Sequence, residues 1–118
     1  GYRVLDGEAK RWSGQKTISK TTEGQFFPSL SYDSGRLFLA LSLQDTDSAK
    51  PPKEDLNDNA KSVLLGYSEG SGFSQQITTL KGGWLKLNRS GAILEGTLVE
   101  TSNGEYKIRY MQWNTNKL

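Results

Sequence analysis

The 118-residue chain contains no cysteine and no histidine, and these two blanks exclude more than any motif in it establishes. Without thiols there can be no disulfide, no thiolate nucleophile and no Cys-ligated zinc, and the redox compartment leaves no mark on the sequence. Without imidazole the chain lacks the usual general base, the commonest metal ligand and the one side chain that titrates near neutrality unaided. An excess of one charge is also missing. Fifteen Lys and Arg stand against thirteen Asp and Glu, for a net charge of +2. They are scattered rather than gathered into the basic face that phosphate binding needs, so no nucleic-acid partner is expected. No run reaches the roughly 20 apolar residues of a membrane span, so no transmembrane segment is expected. The opening Gly1-Tyr2-Arg3, without Met or a signal peptide, reads as a mature or trimmed chain from which any export signal has been removed.

What is present points to one all-β domain over residues 1–118. This length buries about two-thirds of the surface that the unfolded chain exposes, so no covalent staple is required. Period-two alternation, broken at short intervals by Gly, Asn, Asp and Ser, predicts a single antiparallel barrel or sandwich of about eight to nine strands in mostly meander order. Strands are expected at 2–6, 15–22, 26–32, 36–43, 60–67, 73–80, 84–87, 93–101 and 105–113. Asp6-Gly7 suits a tight turn. Pro28 cannot donate to a ladder, so its strand should lie at an edge or carry a bulge. Leu37, Leu39, Leu41 and Leu43 share one face of a strand whose other face holds Phe38 and Ala40; apolar side chains on both faces mark a central strand. Residues 44–59, with two prolines and mixed charges, form the longest predicted loop. Trp84, Leu85 and Leu87, a turn at 88–91 and the run from Ile93 to Val99 predict a hairpin. Asn103-Gly104 predicts another, with a type I′ turn. After it Tyr106, Ile108 and Tyr110 alternate with Lys107 and Arg109, giving one apolar and one solvated face.

Chemistry is sparse. Glu95, Glu100 and Glu105 lie near one hairpin, but exposed carboxylates are ordinary on sheet exteriors, so no catalytic residue is assigned and the chain is read as not an enzyme. Asp55, Asn57 and Asn59 alternate like the start of a calcium loop. However, Ala60 stands where the turn needs Gly, and Gly66 where the closing Glu belongs, so an Asx-turn is expected and no metal or other cofactor. The aromatics are the remaining candidates. Trp12, Trp84, Trp113 and Tyr110 each offer an apolar ring beside a polar handle, on which a sugar or flat ligand could stack.

Gly83-Trp84 followed by Gly91-Ala92-Ile93-Leu94-Glu95-Gly96-Thr97 is similar to the glycine-tryptophan and glycine-x-leucine-x-glycine-threonine signatures of avidin-type barrels. That family's other biotin-contacting positions have no counterpart, and Lys86 and Arg89 fall where it is usually neutral, so no biotin-binding residue is carried over. Over most of its length the chain resembles small surface lipoproteins of the Bacteroidota type. The likeness rests on a short strand, glycine turn and tryptophan (Leu5 to Trp12), an apolar middle strand (Leu37 to Leu43), the hairpin Gly91 to Thr97 and a last strand after Gly104. The Pro51-Pro52 loop and the missing lipobox cysteine depart from that pattern. This resemblance implies a non-catalytic, extracytoplasmic domain of a cell envelope.

Two functions follow. One is a binding module for a glycan or small apolar ligand through Trp12, Trp84, Trp113 and Tyr110. The alternative is a structural or protein-interaction domain without a small ligand, acting through a sheet edge or the 44–59 loop. A closed barrel with Trp rings lining a void would favour the first; a filled core would favour the second.

Overall fold

The computed structural model describes residues 2–8, 10–16, 24–33, 36–44 and 56–118. Among these the chain forms nine strands: β1 (Leu5–Asp6), β2 (Arg11–Trp12), β3 (Gly24–Asp33), β4 (Arg36–Gln44), β5 (Lys61–Ser68), β6 (Gly72–Lys81), β7 (Gly83–Ser90), β8 (Ile93–Ser102) and β9 (Glu105–Asn114), followed by a 3-10 turn at Thr115–Lys117. All pairings are antiparallel, in three sheets of order β1-β2, β3-β4-β5-β6 and β7-β8-β9. The all-β meander expected from the alternation is therefore present. The described strands do not close into a barrel. Of the expected strand at 15–22, only Lys16 is described as paired, in an isolated bridge to Tyr2; 17–22 lie outside the described residues, as do 45–55 of the expected loop. The expected strand at 2–6 shrinks to that bridge and β1.

β4 is central, between β3 and β5, and is buried from Phe38 to Gln44. Phe38 and Ala40 join Leu64 of β5 and Leu85, Leu87, Leu94 and Leu98 of the β7-β8-β9 sheet in one core. Each of these large side chains contributes about 1.5–3 kcal/mol by leaving water. The opposite face of β4 supplies Leu39 to a smaller cluster with Leu65 and Phe73, against which Tyr2, Leu37, Val63 and Tyr67 pack. β3 is an edge strand with a bulge between Phe26 and Ser29, where Phe27 has φ 51°, as Pro28 requires. The bulge also serves packing, because the Ser29 hydroxyl accepts the Leu87 N–H at 2.9 Å. A second tie runs from the Arg89 guanidinium to the Tyr32 carbonyl at 3.1 Å. Arg36 lies 5.1 Å from the Phe38 ring centroid and donates to the carbonyls of Thr115 and Leu118, fixing the 3-10 turn to β4.

The chain passes from one sheet to the other with only Gly82 between β6 and β7. Gly82 has φ 114°, and a Cβ there would lie 2.6 Å from the Val99 carbonyl oxygen; one on Gly83 would collide with Leu56. The two glycines form a corner where the Val99 backbone and the Leu56 side chain approach too closely for a Cβ. The corner's polar groups leave the ladders and find buried partners. Gly82 N–H donates to the Ala60 carbonyl at 2.9 Å. The Ser62 hydroxyl donates to the Gly82 carbonyl at 3.0 Å, and Trp84 N–H donates to the Ser42 hydroxyl at 2.9 Å. The two hydroxyls lie 3.4 Å apart and are fully buried. A serine has one proton, and that of Ser62 is already given to Gly82, so Ser42 must donate to Ser62. The result is a directed relay, Trp84 N–H to Ser42 to Ser62 to Gly82 C=O.

Both predicted hairpins form. Asn103 and Gly104 have φ of 51° and 80°, as a type I′ turn requires. The β7–β8 turn is tighter than expected, with Ser90 paired to Ile93 and only Gly91 and Ala92 between them. The faces of β9 are inverted relative to expectation. Trp113 and Met111 oppose Leu94 and Gly96 on the core side, so Tyr106, Ile108 and Tyr110 point the other way and are exposed. Lys107 and Arg109 share the parity of Met111 and Trp113 but are exposed, Arg109 opposite the buried Leu98 and paired with Glu100 at 2.6 Å.

Gly82→Ala is expected to lower the stability to urea by about 2–4 kcal/mol through strain and overpacking, whereas Gly7→Ala, with open space around it, should change it by less than about 0.5 kcal/mol. Equal effects would show that the corner does not need glycine. Ser42→Ala and Ser62→Ala should each cost about 1–3 kcal/mol by orphaning a buried backbone group. The double variant should cost less than the sum by about 0.5 kcal/mol or more, because the two share one relay; strict additivity in urea titrations would contradict it.

Candidate functional site

The N-terminal residues build a surface cleft rather than core. Leu5 pairs with Trp12 and Asp6 with Arg11. The loop between them is shaped by the Asp6 carboxylate, which accepts the Glu8 N–H at 3.0 Å, and by Lys10 at φ 52°. The turn expected at Asp6-Gly7 is thus an Asx-turn, and the left-handed residue is Lys10, not Gly7. Beyond the strands the ribbon continues: Ser13 N–H donates to the Val4 carbonyl at 2.7 Å, Val4 N–H to the Ser13 hydroxyl at 2.9 Å, and Tyr2 and Lys16 exchange backbone bonds of 2.9 and 2.8 Å.

A two-stranded ribbon is marginal by itself, and Tyr2 anchors this one. Its ring meets Phe73 edge-on at 5.0 Å between centroids and Tyr67 at 6.3 Å; Tyr67 and Phe73 are 5.1 Å apart. The Tyr2 hydroxyl lies over Gly72, where a Cβ would displace it. The anchored ribbon and Tyr67 of β5 border an open surface cleft of about 450 Å³, lined among the described residues by Val4, Asp6, Arg11, Trp12, Ser13, Lys16 and Tyr67. Trp12 is 65% exposed, so its ring is available for stacking with an indole N–H as donor. Arg11 and Lys16 add cations, and Asp6 one carboxylate. Among the described residues, no group of three Asp or Glu is placed to hold a metal ion.

The four aromatics singled out in the sequence do not share this site. Trp12 lines the cleft, whereas Trp113 packs against the core over Gly96, where a Cβ would stand 3.0 Å from the indole. Tyr110 lies on the opposite face of the same strand, opposite Thr97, and its hydroxyl accepts from Gln112 at 2.7 Å. Trp84 sits in the corner, half-buried with φ 55°. A single platform of these rings is excluded by strand parity and by the corner. Tyr67, Arg11 and Lys16 were missed from the sequence. The Arg-Trp pair in a short exposed strand was the available signal; the approach of Tyr67 depends on tertiary packing and left none.

The segment that resembled the start of a calcium loop forms the expected Asx-turn where it is described: the Asn57 side chain accepts the Asn59 N–H at 3.1 Å. Asn57 N–H in turn donates to the Gln44 side chain at 3.0 Å, and Leu56 is buried against Gly83. This places 56–60 in a structural role beside the corner. No described helix is long and apolar enough to cross a membrane. No protein-family model, curated protein or solved structure matches the chain.

Proposed function

We propose that the chain is a non-catalytic binding module of the extracytoplasmic side of a bacterial cell envelope, and that it holds a glycan against Trp12 and Tyr67 in the ribbon cleft. The observation that carries this reading is the exposure of Trp12 on a ribbon that the Tyr2 anchor ties to the sheet. Full burial of a large apolar side chain is worth about 1.5–3 kcal/mol; Trp12, 65% exposed, forgoes much of this, and a ligand stacked on one face of the ring recovers part of it. The resemblance to Bacteroidota surface lipoprotein domains supports the envelope placement. In fold terms the reading is an open two-layer sandwich: the β3-β4-β5-β6 and β7-β8-β9 sheets share a Leu- and Phe-filled core, and the shortest extent of the chain is 19 Å, about what two sheets packed 10 Å apart with their side chains require. A filled core offers a small apolar ligand only surface sites, which weights the glycan over the apolar molecule.

A second reading, a protein-interaction domain, is favoured by one observation. Ile108 is 80% exposed in the middle of the regular edge strand β9, flanked on the same face by Tyr106 and Tyr110, and an exposed apolar edge strand is a template for pairing with another chain.

Titration of intrinsic Trp fluorescence with a glycan panel separates the two. A saturable shift is expected that is lost in Trp12→Ala, with the urea midpoint kept, and retained in Trp113→Phe. No response to any glycan, with Trp12 open to quencher, would instead favour a protein partner on β9.

A further inference from the structure

We infer that the ligand of the ribbon cleft is anionic, a carboxylate-bearing sugar chain. This rests on the binding-module reading and specifies its ligand. Among the described residues, Arg11 and Lys16 both line the cleft beside Trp12, against one carboxylate, that of Asp6, so basic side chains outnumber acidic ones two to one in this lining. Asp6 is already committed, accepting the Glu8 N–H. The cations are not committed: among the described residues, neither the Arg11 nor the Lys16 side chain is held by a hydrogen bond or ion pair, although Asp6 lies directly across the ribbon from Arg11.

Position adds to charge. Arg11 directly precedes Trp12, so along a strand the two side chains leave opposite faces, yet both border the cleft. Val4, Asp6 and Ser13 share the Arg11 face of the ribbon by alternation and pairing, so the cleft lies chiefly on the guanidinium's side and the indole borders it from the other; a ring stacked on the indole would present its substituent across the ribbon's edge to the guanidinium. The guanidinium is a planar fork of donors that matches a carboxylate with two parallel bonds, whereas a neutral hydroxyl uses only one. Lys16, held across from Tyr2 by the backbone bridge, supplies a mobile point charge suited to the next acidic residue along the same sugar chain. The aromatic ring provides sequence-tolerant stacking, and the cations select for charge.

The test compares a tetragalacturonate with its fully methyl-esterified form, which keeps the rings and removes the charge. Trp fluorescence titration at low salt should give about ten-fold or tighter binding of the acid, and this preference should shrink toward none in 0.5 M NaCl as the charges are screened. Arg11→Gln and Lys16→Gln, each with an unchanged urea midpoint, should bring the acid-to-ester affinity ratio toward one. Equal, Trp12-dependent binding of acid and ester would overturn the charge inference and leave the binding module standing. Tighter binding of a sulfated oligosaccharide than of the galacturonate would overturn the choice of carboxylate. Failure of both acid and ester to bind, when a neutral glycan of the panel does bind at Trp12, would also overturn it; failure of every glycan would remove the binding-module reading itself.

Discussion

The arrangement of the chain depends on how Gly82 to Trp84 leave one sheet for another without stranding their backbone groups. A strand that turns out of its sheet loses its ladder partners, and a buried amide without a partner costs about 1–3 kcal/mol. Ser42 and Ser62, adjacent across β4 and β5, supply the replacements from inside the core. Their hydroxyls pass a single directed relay from Trp84 N–H to the Gly82 carbonyl. Because the relay uses the serines of the two central strands, it fixes the β7 strand over β4 and β5. Leu85 and Leu87 then face Phe38 and Leu64, and the remaining hairpin follows by register.

That placement determines where function can lie. With Leu64, Leu85, Leu94 and Leu98 fully buried and Trp113 packed over Gly96, the space between the sheets is occupied by the chain's own side chains. Two features of the exterior are not absorbed by that packing: the Trp12 cleft, built on a ribbon too small to be stable alone, and the exposed face of β9. The ribbon is tied down by Tyr2, which links it to the second, smaller cluster around Phe73.

Much of this frame was legible in the sequence. The double-faced pattern of Leu37 to Leu43 could only suit a central strand. Pro28 required an edge or a bulge, and β3 has both. Asn103-Gly104 required a type I′ turn and makes one. The failures share a cause, which is that local patterns were consistent with two tertiary solutions. In β9, Tyr106, Ile108 and Tyr110 compete with Met111 and Trp113 as the inward set, and since the two have opposite parity only one can face the core. Packing against Leu94 and Gly96 chose the second. The corner at Gly82-Gly83 left no signal, because the close approach of Val99 and Leu56 is invisible along the chain. The aromatics could be recognised as candidates but not sorted, since strand parity and the corner decide which ring is core and which is open.

The most direct test of the corner is the hydrogen-exchange rate of the Trp84 amide under native conditions, measured residue by residue by NMR. Its acceptor is a buried side chain rather than a neighbouring strand, so local fraying of the ladder cannot release it. It should therefore exchange only through global unfolding, with the same protection as the amides of Leu64 and Leu98. Exchange as fast as that of the β1–β2 ribbon would mean that the serine relay does not hold the sheets together.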